Sequence, residues 1–272
     1  MISDVQSFVA LHPGLTRDEL REAGCPTNEI RRLRSIGRIV DIGVWVDGSW
    51  ISRFYPYGAR GRDISCMEAL VDLEANPELV RVIDTETTGT DPGEDRIIQL
   101  SVLDGNGEEL FDSYIHPYGV SSWPEAQRIN GISPRMVRDS PSMAELRPRI
   151  EKVLEDAVLI VGYNTYFDIE FLKASGVRMP EADVCDVMEE YAPIAGEWAE
   201  WANGGLGGWR WQKLVRCADH YGYRFRAHDS LEDARATLFC CRRVGWDQID
   251  NRTYVQMRNP RRCSTISRCS PP

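Results

Sequence analysis

The sequence of 272 residues lacks the features that mark membrane, secreted and zinc-ribbon proteins. No apolar run approaches the roughly 18 residues that a membrane span needs. The first residues show no basic stretch followed by an apolar one, so no secretory signal is expected. None of the eight cysteines forms a C-x-x-C pair, which leaves a zinc site or a disulfide framework with little support. We therefore expect a protein of the reducing cytoplasm without membrane contact.

Acidic residues outnumber basic ones, 42 to 32, and the excess is confined to the middle of the chain. Residues 1–62 carry nine Arg against seven acids, and residues 251–272 carry five Arg and no acid. The segment between them has a net charge of −17, against −10 for the whole chain. A polyanion bound by this segment would need local positive charge, such as bound metal ions. A solvated acidic surface is the simpler alternative.

The first 50 residues predict a small helical unit followed by a hairpin. Three helices are expected, and the second begins with the capping pair Thr16 and Glu19. Residues 38–48 predict two short strands around a tight turn. Three helices and a hairpin resemble a winged helix-turn-helix, in which the third helix would contact DNA and the hairpin would be the wing. A module that binds protein, or that only packs on a neighbour, is the alternative.

Composition divides the chain into four parts. Residues 1–50 are the winged-helix-like module, and residues 51–78 are a linker with a connecting helix. Residues 79–247 are the largest domain, and residues 248–272 are an Arg-rich tail that we expect to be flexible.

Apolar strands alternate with amphipathic helices from Leu79 onward, which predicts an α/β fold. The strands are predicted over 80–83, 97–103, 110–115 and 158–162, with a turn at 104–107. The helices are predicted over 143–154, 166–174, 209–221 and 230–243.

Acidic side chains lie at the ends of three of these elements. Asp84 and Glu86 are two residues apart at the end of a strand, so they share a face, where a divalent cation would relieve their repulsion. Asp168 and Asp233 each lie in the first turn of a helix, a position that favours a carboxylate. His228 lies on the loop before the last helix, and histidine ionises in the range that suits proton abstraction.

Each of these positions also has a simpler explanation. Two solvated acids at a strand end are common. Asn164 is predicted to cap the helix that contains Asp168, and Ser230 is predicted to cap the last helix. Capping does not account for His228.

Taken together and in order, the segments resemble the three motifs of the DEDDh 3'–5' exonucleases. They are Asp84-x-Glu86-Thr87-Thr88-Gly89, Tyr163-Asn164-x-x-Phe167-Asp168 and His228-x-x-x-x-Asp233. This family includes the proofreading epsilon subunit of bacterial DNA polymerase III and RNase T. Residues 129–132 are similar to the family's Ile-His-Gly-Ile segment, with Asn130 in place of the usual His. The related DEDDy group has Tyr four residues before the last Asp, where this chain has Asp229, so the His variant is indicated.

The resemblance, which covers residues 79–245, implies an RNase H-like fold with a mixed five-stranded sheet and helices around it. It implies two divalent ions, Mg²⁺ or Mn²⁺, for which oxygen ligands are suited. The ligands would be Asp84, Glu86, Asp168 and Asp233. His228 would take the proton of the attacking water, and the product would be a nucleoside 5'-monophosphate. The ions would also neutralise the acidic cleft so that a polyanion can enter.

By analogy with the motif positions, further residues would lie beside the terminal nucleotide. These are Thr87, Thr88, Ile132, Asn164 and Phe167. Stacking on an aromatic ring suits an enzyme that is indifferent to base sequence. Ile132 and Phe167 are equally well explained as core residues. The insert 197–211, with four Trp among glycines, is either an aromatic loop near the substrate or a surface loop that tucks its indoles onto the last helices.

The leading hypothesis is a metal-dependent 3'–5' exonuclease that acts on single-stranded 3' ends of DNA in proofreading or repair. The N-terminal module would place it on duplex DNA or on a DNA polymerase. An exoribonuclease that trims RNA is the alternative within enzymes. A DNA-binding regulator with an inactive exonuclease-like domain is the alternative from another class, although such domains usually lose an acidic ligand and all four acids are present here.

Overall fold

The computed structural model describes residues 2, 4–12, 14–35, 39–46, 49–56, 61–200 and 207–250. The predicted flexible tail, from residue 251, lies outside the described residues. Among the helices of the described part, none combines the length and the apolar character needed to cross a bilayer.

The N-terminal unit consists of three short helices and a three-stranded antiparallel sheet with strand order β1-β3-β2. Its elements are α1 (Val5–Leu11), β1 (Leu15–Thr16), α2 (Arg17–Glu22), α3 (Thr27–Ser35), β2 (Ile39–Val46) and β3 (Ser49–Pro56). A core of its own includes Val9, Leu20 and Ile30. The predicted capping pair Thr16 and Glu19 forms a complete capping box at the start of α2. The assignment to the winged helices stays a prediction.

The hairpin lies further along the chain than predicted. Both of its strands were expected within residues 38–48, but residues 39–46 form the single strand β2. The second strand, β3, takes residues 49–56, of which residues 51–56 were predicted to belong to the linker. The continuous pairing from Ile39–Pro56 to Val46–Ser49 explains the difference, because the whole β-forming run of β2 finds partners in β3.

A mixed five-stranded sheet with the order β6-β5-β4-β7-β8 forms the centre of the remaining chain. Its strands are β4 (Val80–Thr87), β5 (Ile97–Leu103), β6 (Glu109–Tyr114), β7 (Leu159–Gly162) and β8 (Asp183–Asp186). Strand β4 pairs antiparallel with β5 and parallel with β7, and β7 pairs parallel with β8. The predicted α/β fold with a mixed five-stranded sheet is therefore confirmed.

Helices cover both faces of this sheet. Those in the described residues are α4 (Cys66–Ala75), α5 (Pro124–Asn130), α6 (Pro134–Val137), α7 (Met143–Leu154), α8 (Thr165–Ala174), α9 (Val187–Ala195), α10 (Leu214–His220) and α11 (Ser230–Asp250). Helices α4, α9, α10 and α11 share one apolar core with Val80 and Val82, while α7 and α8 share the other with Ile83. Alternate residues of β4 therefore point to opposite cores, as the period of two in a strand requires.

Two predicted helices have different bounds in the structure. The helix predicted over residues 209–221 is only α10, because Trp209 belongs to a small hairpin of β9 (Trp198–Ala199) and β10 (Gly208–Trp209). The helix predicted to end at residue 243 continues to residue 250, because Val244 and Ile249 keep its buried face in the core.

Three thiols that are far apart in the sequence meet in the core shared by α4 and α11. The Sγ atoms of Cys66 and Cys185 are 3.5 Å apart, and those of Cys66, Cys185 and Cys241 all lie within 4.8 Å of one another. Burial raises the pKa of the Cys66 thiol well above its usual value. These thiols pack as small apolar side chains in the core shared by α4 and α11.

Gly245 allows α11 to approach α4 closely. A Cβ atom at this position would lie 2.7 Å from the backbone oxygen of Cys66 and 2.9 Å from Cγ of Leu70. We expect Gly245→Ala to lower the free energy of unfolding by about 1–3 kcal/mol through overpacking, which outweighs the roughly 1 kcal/mol that alanine gains in helix propensity. Thermal unfolding followed by circular dichroism measures the loss. The control Asp219→Ala changes an exposed residue of α10 and should stay within about 0.5 kcal/mol, whereas an unchanged Tm in Gly245→Ala would contradict this packing.

Candidate active site

The acidic residues predicted at three separate places meet at one end of the central sheet. The parallel pairing of Val82 with Val161 places Asp84, two residues further along β4, level with the end of β7. Asp168 lies in the first turn of α8, which begins directly after β7. The Oγ1 atom of Thr85 donates a hydrogen bond of 2.6 Å to Oδ1 of Asp168, so β4 itself fixes the position of this carboxylate.

The start of α11 completes the cluster. The backbone N–H of His228 points at both carboxylate oxygens of Asp233, with N–O distances of 3.2 and 3.3 Å. Ligand atoms of Glu86, His228 and Asp233 all lie within 4.8 Å of one another. The His228 side chain is exposed, so it can reach a water molecule or a phosphate group in the cleft.

Burial raises the pKa of every predicted acidic ligand, and the charges of neighbouring carboxylates add to the shift. The pKa of Asp84 rises well above its usual value, because the site is desolvated and because the charges of Asp168, Asp233 and Glu86 lie close by. Desolvation, followed by the charge of Asp233, raises the pKa of Glu86 to about 7. Burial raises the pKa of Asp168 to about 8, against the hydrogen bonds from Thr85, and that of Asp233 to about 7.

This donor set fits divalent metal ions of the hard class. Carboxylate oxygens are the ligands that such cations prefer. A cation would also remove the electrostatic cost of gathering Asp84, Glu86, Asp168 and Asp233, since it stabilises their ionised forms.

Two residues of the site have an unusual backbone. Among the described residues other than glycine, positive φ occurs only at Asn164 (67°) and His228 (68°). The left-handed region is unfavourable for residues with a Cβ atom, and such outliers cluster at functional sites. Both lie next to the acidic cluster, one before α8 and one before α11.

The two caps predicted here are wrong. Asn164 occupies the N-cap position of α8, but its side chain accepts no capping bond. Asp186, at the end of β8, accepts the N–H groups of Asn164 and Thr165 instead, at 3.0 and 2.9 Å. The hydroxyl of Ser230 lies 2.6 Å from that of Ser101 in the core, and Asp229 accepts the N–H of Glu232 at 3.4 Å.

The structure separates the five predicted substrate contacts into different environments. Ile132 is 2% exposed and packs on Ile98 and Trp123, so the core explanation holds and its side chain has no surface for a nucleotide. Phe167 is partly buried, with its ring 4.7 Å from that of Phe171. Asn164 is exposed.

Thr87 and Thr88 are buried where β4 ends, and their hydroxyl groups hold the following loop. Thr87 donates to the backbone oxygen of Gly89 at 2.5 Å. Thr88 donates to Asp95 at 3.0 Å and accepts the N–H of Arg96 at 2.9 Å. Any contact with substrate would therefore come from the backbone of this segment.

Three residues outside the predicted ligand set affect the site. Thr85 orients Asp168, as described above. Asn130 donates to the backbone oxygen of Thr87 at 3.3 Å, and its own hydrogen bond favours the ionised form of Glu86. The charge of Asp229 adds to the repulsion on Asp84 and Glu86. The sequence indicated Asn130 because it lies in the segment 129–132 that is similar to the family. It indicated Asp229 only as the residue at the position where the DEDDy group has its tyrosine.

Residues 82–239 match the sequence profile of the RNase T exonuclease family, and this match includes all four acidic residues and His228. The chain belongs to this exonuclease family. The family predicted from the three motifs is thereby confirmed, and so is the enzyme class, a 3'–5' exonuclease. Metal binding is general in this family.

Individual relatives support the same placement. RNA exonuclease 4 of Gibberella zeae is 28% identical over 259 residues, which cover 89% of this chain and 76% of that protein. A DNA polymerase III subunit epsilon-like protein of Rhodobacter capsulatus is 39% identical over 98 residues, which cover 34% of this chain and only 14% of that protein. The zinc-bound form of Escherichia coli Exonuclease I with single-stranded DNA superimposes with a TM-score of 0.51, at 20% identity, over 65% of this chain and 42% of that one.

Proposed function

We propose that this exonuclease is metal-dependent and removes nucleoside 5'-monophosphates one at a time from single-stranded 3' ends of DNA. One observation carries the proposal: four carboxylates, of which Glu86 and Asp168 are buried and Asp84 and Asp233 are half-buried, converge with the exposed His228 at one end of the sheet. The raised pKa values of the carboxyl groups support a bound cation, because without one the cluster repels itself.

Asp84, Glu86, Asp168 and Asp233 would hold two divalent ions, Mg²⁺ or Mn²⁺. When bound, such ions activate the attacking water and stabilise the charge that develops on the leaving oxygen. His228 would accept the proton of the attacking water, since its ring is exposed beside Glu86 and Asp233. Its left-handed backbone and its N–H bonds to Asp233 would keep the ring at the mouth of the cleft.

The remaining site residues would position the terminal nucleotide. The backbone groups of Thr87 and Thr88, which follow Glu86 in the chain, would form one wall of the substrate cleft. Phe167 keeps part of its ring exposed and would stack on a base. The exposed Asn164 would contact the nucleotide with its amide, whereas Ile132 would act only by holding this wall from within the core.

The reaction class is tested with 5'-labelled oligonucleotides. The full chain is incubated with single-stranded DNA, 3'-recessed duplex DNA and single-stranded RNA, each with Mg²⁺, with Mn²⁺ and with EDTA. We expect stepwise shortening from the 3' end that requires metal and is fastest on single-stranded DNA. Shortening at an equal rate in EDTA would contradict the metal assignment.

RNA is the second candidate substrate. A relative that covers 89% of this chain is named RNA exonuclease 4, and its name favours RNA. Faster shortening of RNA than of DNA in the same experiment would replace the DNA proposal.

The assembled cluster of four acids and His228 speaks against a regulator with an inactive domain.

The N-terminal unit would place the enzyme on duplex DNA. Its third helix, α3, exposes Arg31, Arg32 and Arg34, which suits contact with a phosphate backbone. A DNA polymerase is the alternative partner.

We place the protein in the cytoplasm, a proposal supported by the free thiols of the six cysteines in the described residues.

A further inference from the structure

Two tryptophans of the insert are exposed rather than tucked onto the last helices. The side chain of Trp198 on β9 is 57% exposed, and that of Trp211, just after β10, is 61% exposed. An indole is a large apolar group, so two exposed rings on one small hairpin indicate a contact surface. We call Trp198, Trp211 and Lys213 the tryptophan strip.

The ring of Trp198 is held in place. It meets the ring of Trp209 edge to face, with the centroids 5.2 Å apart. Gly207, with φ of +79°, lies directly against it, and a Cβ atom there would be 2.5 Å from the ring. An aromatic ring that is already ordered can stack on a base with little further loss of conformational entropy.

The charge of the strip is opposite to that of the chain. Residues 207–216 contain three basic residues and no acid, in a protein with a net charge of −10. Glu197, just before β9, accepts a hydrogen bond from Arg216 and lies 3.8 Å from Arg210, so it offsets the charge of these two side chains and leaves Lys213 to supply the positive charge of the strip. Lys213 is exposed between them. Exposed aromatic rings among basic side chains are the combination that binds single-stranded nucleic acid.

The strip is attached beside the acidic cluster. The Oη atom of Tyr163 donates a hydrogen bond of 2.9 Å to the backbone oxygen of Gln212, which lies between Trp211 and Lys213. Tyr163 follows Val161 by two residues and packs in the same core. Asp84 follows Val82 by two residues, and Val82 pairs with Val161. Tyr163 lies one residue past the end of β7, and Asp84 lies two residues past the last residue of β4 that pairs with β7, so both are at the end of the sheet that carries the acidic cluster.

We propose that the tryptophan strip binds the single-stranded DNA that precedes the 3'-terminal nucleotide. Trp198 and Trp211 stack on bases, while Lys213 contacts a phosphate. The terminal phosphodiester then lies at the acidic cluster, and the strand leaves the cleft across the strip. This inference rests on the proposed exonuclease function, because it names where that substrate continues.

Binding is tested in the Asp84→Asn background of the full chain, so that hydrolysis does not consume the DNA. The affinity for a 5'-fluorescein-labelled dT20 is measured by fluorescence anisotropy. Loss of one stacking ring in Trp211→Ala should raise Kd roughly 5- to 150-fold. The matched control, Trp246→Ala, removes a partly exposed indole near the end of α11 and should leave Kd within about twofold of its parent.

Substrate length separates the strip from the catalytic residues. In the otherwise wild-type chain, Trp211→Ala should raise KM for dT20 by the same factor, and this factor should shrink as the substrate is shortened to a dinucleotide. An equal loss at every length would overturn the proposal, because the variant would then have disturbed the catalytic cluster. If no substrate is hydrolysed, the proposed function fails, while the anisotropy measurement still tests the strip.

Charge and the class of ligand are tested in the same way. Lys213→Gln should reduce the slope of log K against log salt by about 0.7, the value for one phosphate contact on a single strand. The control Lys152→Gln removes an exposed lysine from α7, on the opposite face of the sheet, and should leave the slope unchanged. If the Trp211→Ala defect is confined to rU20, the strip binds RNA. If the variant changes the oligomeric state without a change in Kd, the strip contacts a second copy of the chain. Either result would overturn the proposal.

Discussion

Asp84→Asn should reduce the rate of hydrolysis at least about a thousandfold while the fold stays intact. Asp84 is the residue on which the charges of Asp168, Asp233 and Glu86 converge, so its loss disrupts the site for divalent metal more than any other single change. Metal ions contribute several kcal/mol of transition-state stabilisation in this type of displacement, and each 1.36 kcal/mol is worth a factor of ten in rate. The measurement is the initial rate on 5'-labelled single-stranded DNA with saturating Mn²⁺.

The same variant has an opposite effect on the stability of the metal-free protein. Burial and repulsion raise the pKa of Asp84, which means that its ionised form is disfavoured in the folded state. Removing the charge should therefore leave the Tm in EDTA equal to or above that of the wild type. In the wild type, Mn²⁺ at a hundred times its Kd should add about 2.7 kcal/mol to the free energy of unfolding, and the variant should lose most of this gain.

The stability of the metal-free wild type should fall as the pH rises. The pKa values of Glu86 and Asp233 lie at about 7 and that of Asp168 at about 8, all above their usual range. The folded state therefore binds more protons than the unfolded chain between about pH 4 and 8, and stability falls as the pH rises through this window. Metal should remove this slope, because it stabilises the ionised carboxylates.

The control for Asp84→Asn is Asp219→Asn, which changes an exposed acid on α10. It should keep the wild-type rate and the wild-type response to metal. Retention of full activity by Asp84→Asn would refute the assignment of the acidic cluster as the metal site. A lower Tm of this variant in EDTA would show that the carboxylate has a structural role instead.

His228→Ala should slow turnover about 100-fold or more at neutral pH, the range expected when a general base is lost. The ring is exposed and its backbone N–H is bonded to Asp233, so truncation at Cβ leaves the backbone of the loop in place. The stabilisation by Mn²⁺ and the KM for DNA should change little. This pattern differs from that of Asp84→Asn, in which the rate and the response to metal are lost together.

Two results would contradict the role of His228. A wild-type rate would exclude it as the base, and a large loss of stabilisation by Mn²⁺ would make it a metal ligand, which its position within 4.8 Å of Glu86 and Asp233 permits. His220→Ala is the matched control, because His220 is an exposed histidine on α10 whose ring contacts Tyr191 and Tyr221.

The parts of the fold that depend on local pattern could be predicted from the sequence. Helix α7 has the predicted bounds, and the strands around Asp84 and Asp104 lie where apolar runs and a turn signal placed them. The two caps were wrong because competing partners came from elsewhere in the chain: Asp186 for α8, and Ser101 for the hydroxyl of Ser230. The hairpin of β2 and β3 was misplaced because strand length depends on the partner strand.

The sequence by itself determined the exonuclease family and the enzyme class. Asp84 and Glu86 share a face because a strand repeats every two residues, and the order of the three motifs identified the family before any contact was known. Only the tertiary structure decided which side chains reach the cleft. It buried Ile132, left the indoles of Trp198 and Trp211 in solvent, and joined their hairpin to Tyr163 beside the acidic cluster. The physical reason is that burial depends on what packs against a residue, and those partners lie far away in the chain.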